Sequence, residues 1–374
     1  MTPVDTALDL LAFTLFIHIL GASLVLGLSW FAFGFELIGR KRNAGVYLAS
    51  SKAISKAILL IYATIGSLGT GVTVELFAFW PGFMKAVGVL LWWPFAFVTA
   101  MILANFLMNT IYWYGFDRIR PRLHLALGFI MALTASLIPF NFRTISAFTN
   151  QPVGLTGNAV ETTLMYTNPS FPPLYTHTIL ASLSTAGFVV CAAAALGLYL
   201  RRGDANVNMS ILRQGVVAGV TFLVPQALAG AWYLWTLGGN VPQMFAAITG
   251  LLTTHSESAD VQLLPSYIFA TKLVIVGCIF LGGIWLMNRG QRHPLSKLEV
   301  AISTILGVLA SAVILVGETM QEYSHLPYFV IDRFKVTEFL NSGFPFSVIG
   351  VSILGFGIFL GILLLILYVA YIKK

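Results

Sequence analysis

Residues 174–199 read LYTHTILASLSTAGFVVCAAAALGLY, an apolar run without one aspartate, glutamate, lysine or arginine. A helix rises about 1.5 Å per residue, so a run of this length is long enough to cross the roughly 30 Å of hydrocarbon in a bilayer. The run contains one side chain that titrates near neutral pH, His177, near its beginning. Because an ionisable side chain in hydrocarbon is costly, it indicates a functional site that faces the interior of a helix bundle.

A second histidine, His18, lies in a similar apolar context, LFIHIL at residues 15–20. Imidazole is a good ligand for haem iron, and haem is an apolar plate that a helix bundle can enclose. Alternatively, a histidine in a membrane helix forms a polar contact with a neighbouring helix. Position alone leaves both interpretations open. Cys191 and Cys278 lie outside any C-x-x-C-H sequence, which argues against covalently attached c-type haem.

The composition predicts an all-α membrane protein. Of its 374 residues, 58% are hydrophobic and 9% are charged, and the mean hydropathy is +0.87, values that exclude an ordinary soluble domain. Apolar runs long enough to span a bilayer occur at residues 8–36, 57–80, 86–114, 124–142, 174–199, 214–238, 264–287, 296–316 and 344–371. The prediction is a single membrane domain, residues 1–374, forming a polytopic bundle of nine transmembrane helices.

The distribution of positive charge predicts the orientation of this bundle. If the N-terminus lies outside, the inner segments carry 16 of the 21 lysines and arginines, the other five being Lys85, Arg143, Lys272, Arg333 and Lys335. Inner loops of membrane proteins are enriched in these residues, so we expect the N-terminus outside and the C-terminus inside. The net charge of +7 then follows from topology and indicates no nucleic-acid partner. Both membrane histidines fall near the outer face.

Several motifs along the chain form a family pattern: TLFIH at residues 14–18, LVLGL at 24–28, GVTVE at 71–75, GFDR at 115–118 with His124 after it, NQPVG at 150–154 and THTILA at 176–181. Together they resemble subunit I of cytochrome bd quinol oxidases, whose fold is nine transmembrane helices with haems near the outer face. The resemblance implies that His18 ligates a high-spin haem and His177 a low-spin haem b. Glu75, at the outer end of the second run, lies either at the membrane interface or at a haem edge.

The segment GETMQEYSHLPY, residues 317–328, corresponds to the family motif Gly-Trp-x-x-x-Glu-x-Gly-Arg-Gln-Pro-Trp. Glu322 matches, whereas His325 stands in place of the arginine. On a helix these two residues share one face, so both can approach one iron or one propionate. The resemblance implies that Glu322 and His325 form the catalytic pair beside the haem on His18, with His325 able to close the sixth position of that iron.

The third-helix glutamates of the family, which serve its oxygen-reducing haems, are replaced here. Counted back from the GFDR motif, their positions hold Phe97 and Asn105, and neither side chain delivers a proton. The family's quinol loop also carries a lysine and a glutamate, both absent from MFAAIT at residues 244–249. The sequence therefore disfavours reduction of oxygen by this chain.

The seventh helix of the family supplies a methionine to the low-spin haem, and PSYIFATKLV at residues 265–274 has none. We therefore expect the haem on His177 to be five-coordinate or to take a nitrogen or oxygen ligand, with Lys272 and His255 as the nearest candidates. Thioether ligation raises haem potential, so this haem is expected to have a lower potential than its family counterpart. Alternatively, Lys272 pairs with a haem propionate.

The sequence thus predicts a haem b-binding electron-transfer subunit in the plasma membrane of a prokaryote. It relays electrons between quinone and a partner near the outer membrane face, with two or more haems. The predicted partners are other membrane or outer-face redox subunits, quinone or quinol, and the lipid bilayer. The predicted cofactor-binding residues are His18, His177, Glu322, His325, Lys272 and Glu75. The alternative is a divergent terminal quinol oxidase that reduces oxygen to water.

Overall fold

The computed structural model describes residues 3–157, 159–251, 264–290, 294–326, 328–331, 334–335 and 361. The long helices are α1 (Pro3–Arg42), α2 (Gly45–Ile61), α3 (Ser67–Phe79), α4 (Pro81–Leu90), α5 (Trp92–Gly115), α6 (Pro121–Asn150), α8 (Phe171–Tyr199), α9 (Ala205–Asn240), α11 (Leu264–Asn288) and α12 (Lys297–His325). The short elements are a π-helical turn (Tyr62–Gly66), α7 (Thr162–Met165), α10 (Pro242–Thr249) and the antiparallel pairs β1 (Leu155–Thr156) with β2 (Ala159–Val160) and β3 (Tyr328–Val330) with β4 (Phe334–Lys335).

Eight helices among the described residues are long and apolar enough to cross a membrane, or nine if one bent pair counts as a span. This pair joins the C-terminal part of α3 (Gly71–Phe79) to α4 at an angle of 106°. Trp80 lies between them with φ −127° and ψ 59°, and Pro81 follows it, a residue that disfavours helical conformation at the preceding position. The prediction of an all-α membrane bundle is confirmed. The last predicted run, residues 344–371, lies outside the described residues apart from position 361.

Several predicted helix boundaries are wrong, among them three where polar residues lie inside a helix. The second run was expected from residue 57, but α2 begins at Gly45. Its Ser50 donates to a carbonyl within α2, and Ser51 donates to the Ala32 carbonyl of α1 at 2.7 Å, so these hydroxyls are satisfied inside the bundle. Similarly, residues 143–150 and 317–325 belong to α6 and α12 and not to outer loops.

Glycines hold three helices in direct contact with α8. A Cβ at Gly187 of α8 would lie 2.6 Å from the backbone nitrogen of Gly219 in α9. A Cβ at Gly27 of α1 would lie 2.4 Å from the Cβ of Ala186 in α8. A Cβ at Gly307 of α12 would lie at a similar distance from a side chain of α8. Small residues let membrane helices approach closely, which is how packing is gained when lipid and side chains are equally apolar. The helices α1, α9 and α12 are therefore packed backbone to backbone against α8.

A buried ion cluster joins α1, α5 and α6 at the ends predicted to face inward. Glu36 accepts hydrogen bonds from Arg40 Nε at 2.6 Å, His124 Nδ1 at 2.7 Å and the Tyr112 hydroxyl at 2.8 Å. His124 Nε2 lies 2.9 Å from the Tyr112 carbonyl oxygen. Both ring nitrogens of His124 therefore lie within hydrogen-bond distance of an oxygen atom that can accept. Glu36, Tyr112 and His124 have no exposed surface.

Replacing His124 with alanine is expected to lower the free energy of unfolding by about 2–4 kcal/mol, because Glu36 keeps Arg40 and Tyr112 but loses one buried hydrogen bond, and the missing ring leaves a cavity. The change is measured by thermal or denaturant unfolding in detergent. The control is Lys52→Ala, which removes an ion pair with Asp117 on the exposed surface and should cost less than about 1 kcal/mol. Equal losses in the two variants would contradict a stabilising role for the buried contact between His124 and Glu36.

Candidate haem-binding cavity

His177 lies on the wall of a cavity of about 100 Å³ formed by α1, α6, α8, α9, α11 and α12. Pro172 and Pro173 begin α8, where the missing amide hydrogen of proline costs nothing, and they set His177 in the second turn of the helix. Apolar side chains of α1 and α12, among them Ile19 and Val313, form part of the wall. The run that the sequence singles out therefore turns its histidine into the bundle.

The hydrogen bonding of His177 determines which ring nitrogen is available to a metal. Its Nδ1 lies 2.9 Å from the backbone carbonyl oxygen of Gln226 in α9. A carbonyl only accepts, so Nδ1 carries the proton and, in the neutral ring, Nε2 keeps its lone pair. Gly230 leaves room for the ring, since a Cβ there would lie 3.2 Å from Nδ1. A carbonyl behind the ring is a common way to orient a metal-binding histidine.

Three charged side chains line the same cavity. Arg143 Nη2 of α6 lies 2.7 Å from Glu318 Oε1 of α12, an ion pair that bridges the two helices. Lys272 enters from α11, and its Nζ would lie 3.2 Å from a Cβ at Gly317, so glycine leaves space for the amine. Within the described part of the chain, Lys272 forms no ion pair with a carboxylate. The excess of positive charge favours an anionic ligand.

A polar network extends from this cavity to His325. The amide of buried Asn150 in α6 donates to the hydroxyl of Tyr233 in α9 at 2.7 Å. Gln321 of α12 donates to the Asn150 carbonyl oxygen at 3.3 Å, and its Nε2 lies 3.2 Å from His325 Nε2. Tyr233 and Gln321 both line the cavity. His325, predicted beside the haem on His18, is therefore connected to the cavity of His177.

His18 belongs to a second group, between α1 and α3. A Cβ at Gly69 would lie 2.7 Å from His18 Cε1, so the ring occupies space that any other residue of α3 would fill. One turn earlier on α1, the Thr14 hydroxyl donates to Glu75 Oε1 at 3.1 Å. Glu75 is 3% exposed, and its Oε2 is buried without a hydrogen-bond partner among the described residues. A buried carboxyl thus lies in the same group as this histidine.

Glu322 lies one turn beyond Glu318 on α12, with an exposed side chain. Because α12 continues to His325, the helix geometry that the sequence suggested for Glu322 and His325 holds. Their approach to a haem on His18 stays a prediction. His255 lies outside the described residues.

Arg143 and Glu318 are cavity residues that the sequence did not single out. Both were assigned to outer loops because each follows the last strongly apolar position of its run. Their ion pair joins positions far apart in the sequence, so no local sequence pattern predicts it. The available signal was the isolated charge at the end of each run, since a charge that continues a membrane helix requires a partner.

The residues around His177 fit a haem. The histidine offers an unprotonated Nε2, the wall is largely apolar, and Arg143 and Lys272 supply the cations that two propionates need. The group around His18 offers a second imidazole with a glycine cradle and a buried carboxyl. Both groups therefore have donors of the kind that hold b-type haem without covalent attachment.

Comparison with known proteins supplies the family. Residues 10–272 match the sequence profile of cytochrome bd terminal oxidase subunit I, which is more than half of the chain. The chain belongs to this family. One relative, provisionally named cytochrome bd menaquinol oxidase subunit I, comes from Bacillus subtilis (strain 168) and is 27% identical over 260 residues. That match covers 67% of this chain but 59% of the relative, so the chain aligns with less than two thirds of the relative's length.

A solved structure has the same fold. The bd oxidase from Geobacillus thermodenitrificans superposes with a TM-score of 0.83, covering 97% of this chain and 96% of that chain at 19% identity. The bundle is therefore the helical architecture of bd oxidases. Its family and its apolar helices make the protein a multi-pass protein of a prokaryotic plasma membrane.

Proposed function

We propose that this bd-family subunit binds haem b on His177 and on His18 and transfers electrons between quinol and a redox partner near the outer membrane face. The observation that carries the proposal is the cavity of His177, where an unprotonated imidazole nitrogen and two cationic side chains face one space. Haem would supply one-electron exchange. Two or more haems, held in a single membrane domain of residues 1–374, are part of this proposal.

The side chains around the cavity have separate tasks in this proposal. The Gln226 carbonyl holds the His177 ring in the orientation that directs Nε2 inward. Lys272 and Arg143 neutralise propionates, which lowers the cost of placing those anions among apolar helices. Glu318 keeps Arg143 paired within the bundle. Glu75, Glu322 and His325 are assigned to the haem on His18, following the family resemblance.

The proposed orientation has the N-terminus outside and the C-terminus inside. Sixteen of the 21 lysines and arginines then belong to inner segments. In that orientation His177, in the second turn of α8, lies near the outer surface. The proposed electron donor is quinol, in keeping with the name of the Bacillus relative. The proposed partners are other membrane or outer-face redox subunits.

Family membership favours a second candidate function, a divergent terminal oxidase that reduces oxygen to water. Such an enzyme would need protons at the haem on His18 from groups other than Phe97 and Asn105. Glu75, a buried carboxyl in the His18 group, is the residue that would serve. We prefer electron relay because the two third-helix positions that carry glutamate in the family lack an ionisable group here.

The direct test is a reduced-minus-oxidised spectrum of the purified protein, followed by addition of a quinol analogue to the oxidised form. The proposal expects b-type haem bands, with haem extracted in at least a twofold molar ratio to protein, and reduction of these bands by quinol. A protein without Soret absorbance would overturn the proposal.

Changing His18 to alanine is expected to remove one haem and to leave the band of the haem on His177. The two histidines lie in separate groups, His18 against Gly69 and His177 against Gly230, so each loss should be independent of the other. Haem content and spectra of His18→Ala and His177→Ala, compared side by side, test this expectation. Identical spectral losses in the two variants would contradict separate sites.

A further inference from the structure

A groove of about 360 Å³ lies between the C-terminal end of α8 and the N-terminal end of α12, at the end of α8 opposite His177. Its walls are largely apolar, with Leu196 contributed by α8 and Val300 and Ile305 contributed by α12. Both helices are long and apolar enough to cross a membrane, and the side chain of Ile305 is 54% exposed. The apolar part of the groove is therefore open to the acyl chains of the bilayer.

The mouth of this groove carries an unmatched cation. Lys297, the first residue of α12, and Tyr199, the last residue of α8, both line it with exposed side chains. Among the residues that the structure describes, Lys297 forms no ion pair with a carboxylate. Glu299 instead caps α12, accepting from the Ser296 amide at 2.8 Å and from its hydroxyl at 2.7 Å. Asp204 at the start of α9 likewise accepts from two backbone amides.

A second cation, Arg201, follows Tyr199 by two residues and has a strained backbone conformation, with φ +55°. Its amide donates to the Leu198 carbonyl at 3.2 Å, and the Arg202 amide donates to the Gly197 carbonyl at 2.7 Å. These two bonds form a Schellman motif, in which glycine is the usual residue at the left-handed position. Arginine there costs free energy that glycine would not cost. Strain of this kind indicates a use for the side chain, which here is an exposed cation.

We propose that this groove binds one anionic phospholipid, with an acyl chain along the apolar walls and the headgroup phosphate beside Lys297 and Arg201. Basic pockets between transmembrane helices on the inner side of a membrane bind such headgroups, and the charge distribution places this end of the bundle inside. The Tyr199 hydroxyl can donate to the same headgroup. A zwitterionic phospholipid binds less tightly, because it brings its own cation close to two positive side chains. The site does not require haem.

The test is titration of the purified full-length protein with phosphatidylglycerol and, separately, with phosphatidylcholine, followed by native mass spectrometry. The wild type should bind phosphatidylglycerol more tightly than phosphatidylcholine. Lys297→Gln and Arg201→Gly should each weaken binding of phosphatidylglycerol by roughly fivefold, the contribution of one cation near an anionic headgroup, and should leave binding of phosphatidylcholine unchanged.

Two matched controls are Lys41→Gln and Asn43→Gly. Lys41, in the last turn of α1, is an exposed cation that does not line the groove, and Asn43 has φ +50°, close to that of Arg201. Both variants should bind phosphatidylglycerol as the wild type does. Glycine suits the backbone conformation of Arg201, so Arg201→Gly should unfold at an equal or higher temperature, which separates loss of lipid from loss of fold.

Three results would overturn the proposal. The first is equal affinity of the wild type for the two lipids, which would assign the groove to bulk lipid. The second is an equal loss of phosphatidylglycerol binding in Lys297→Gln and Lys41→Gln. The third is a dimer of the chain that carries no bound lipid, since a second copy would then cover the groove.

Discussion

Replacing His177 with alanine is expected to abolish binding of one haem and to remove a low-spin b-type band from the reduced-minus-oxidised spectrum. Alanine offers no nitrogen to iron, and nothing else on that turn of α8 replaces it. The fold should survive, because the substitution breaks one neutral hydrogen bond, to the Gln226 carbonyl, worth about 1 kcal/mol. Haem per protein and membrane insertion are measured on the same preparation.

The matched control is His293→Ala. The sequence predicts that His293 lies in an inner loop, away from both haem groups, so this variant should keep the full spectrum. An unchanged spectrum in His177→Ala would contradict the assignment of this histidine. Loss of all haem from both variants would indicate a general failure to fold.

The transmembrane architecture was largely predictable, because a helix in lipid must be apolar along its length and residues 174–199 show this pattern. The helix boundaries were harder to predict. Charges such as Arg143 and hydroxyls such as Ser51 end an apolar run in sequence but are satisfied by neighbouring helices in the fold. Which polar residues find such partners depends on tertiary packing, which a single sequence does not contain.

The candidate site was predictable only in part, for the same reason. His177 and Lys272 stand out because each is ionisable inside a run, and both line one cavity. Arg143 and Glu318 were missed because their significance lies in pairing across α6 and α12.

Quinol-driven oxygen uptake by the isolated protein is expected to stay near the rate of a haem-free control. Reduction of oxygen needs a supply of protons to a buried iron, and membrane proteins deliver them through ionisable side chains. Phe97, at one of the two family glutamate positions, has a side chain that is 41% exposed on the surface of α5 and cannot carry a proton.

Asn105, at the other family glutamate position, is fully buried and locked in place. Its amide donates to the Met131 carbonyl at 2.7 Å and to the Thr134 hydroxyl at 2.9 Å, and its carbonyl oxygen accepts from the Tyr62 hydroxyl. This network fixes α5 against α6 and the π-helical turn without an ionisable carboxyl. A further variant, Asn105→Glu, restores a carboxyl at this position. We expect its quinol-driven oxygen uptake to stay low, because Phe97 still occupies the other glutamate position of the family.

The measurement that tests electron relay most directly is oxygen consumption by the purified wild-type protein supplied with a quinol analogue, recorded together with the haem spectrum. The account predicts that quinol reduces the b-type haems while oxygen consumption stays at the background rate of the haem-free control. Haem reduction followed by rapid, sustained oxygen uptake would contradict it and establish a terminal oxidase in its place.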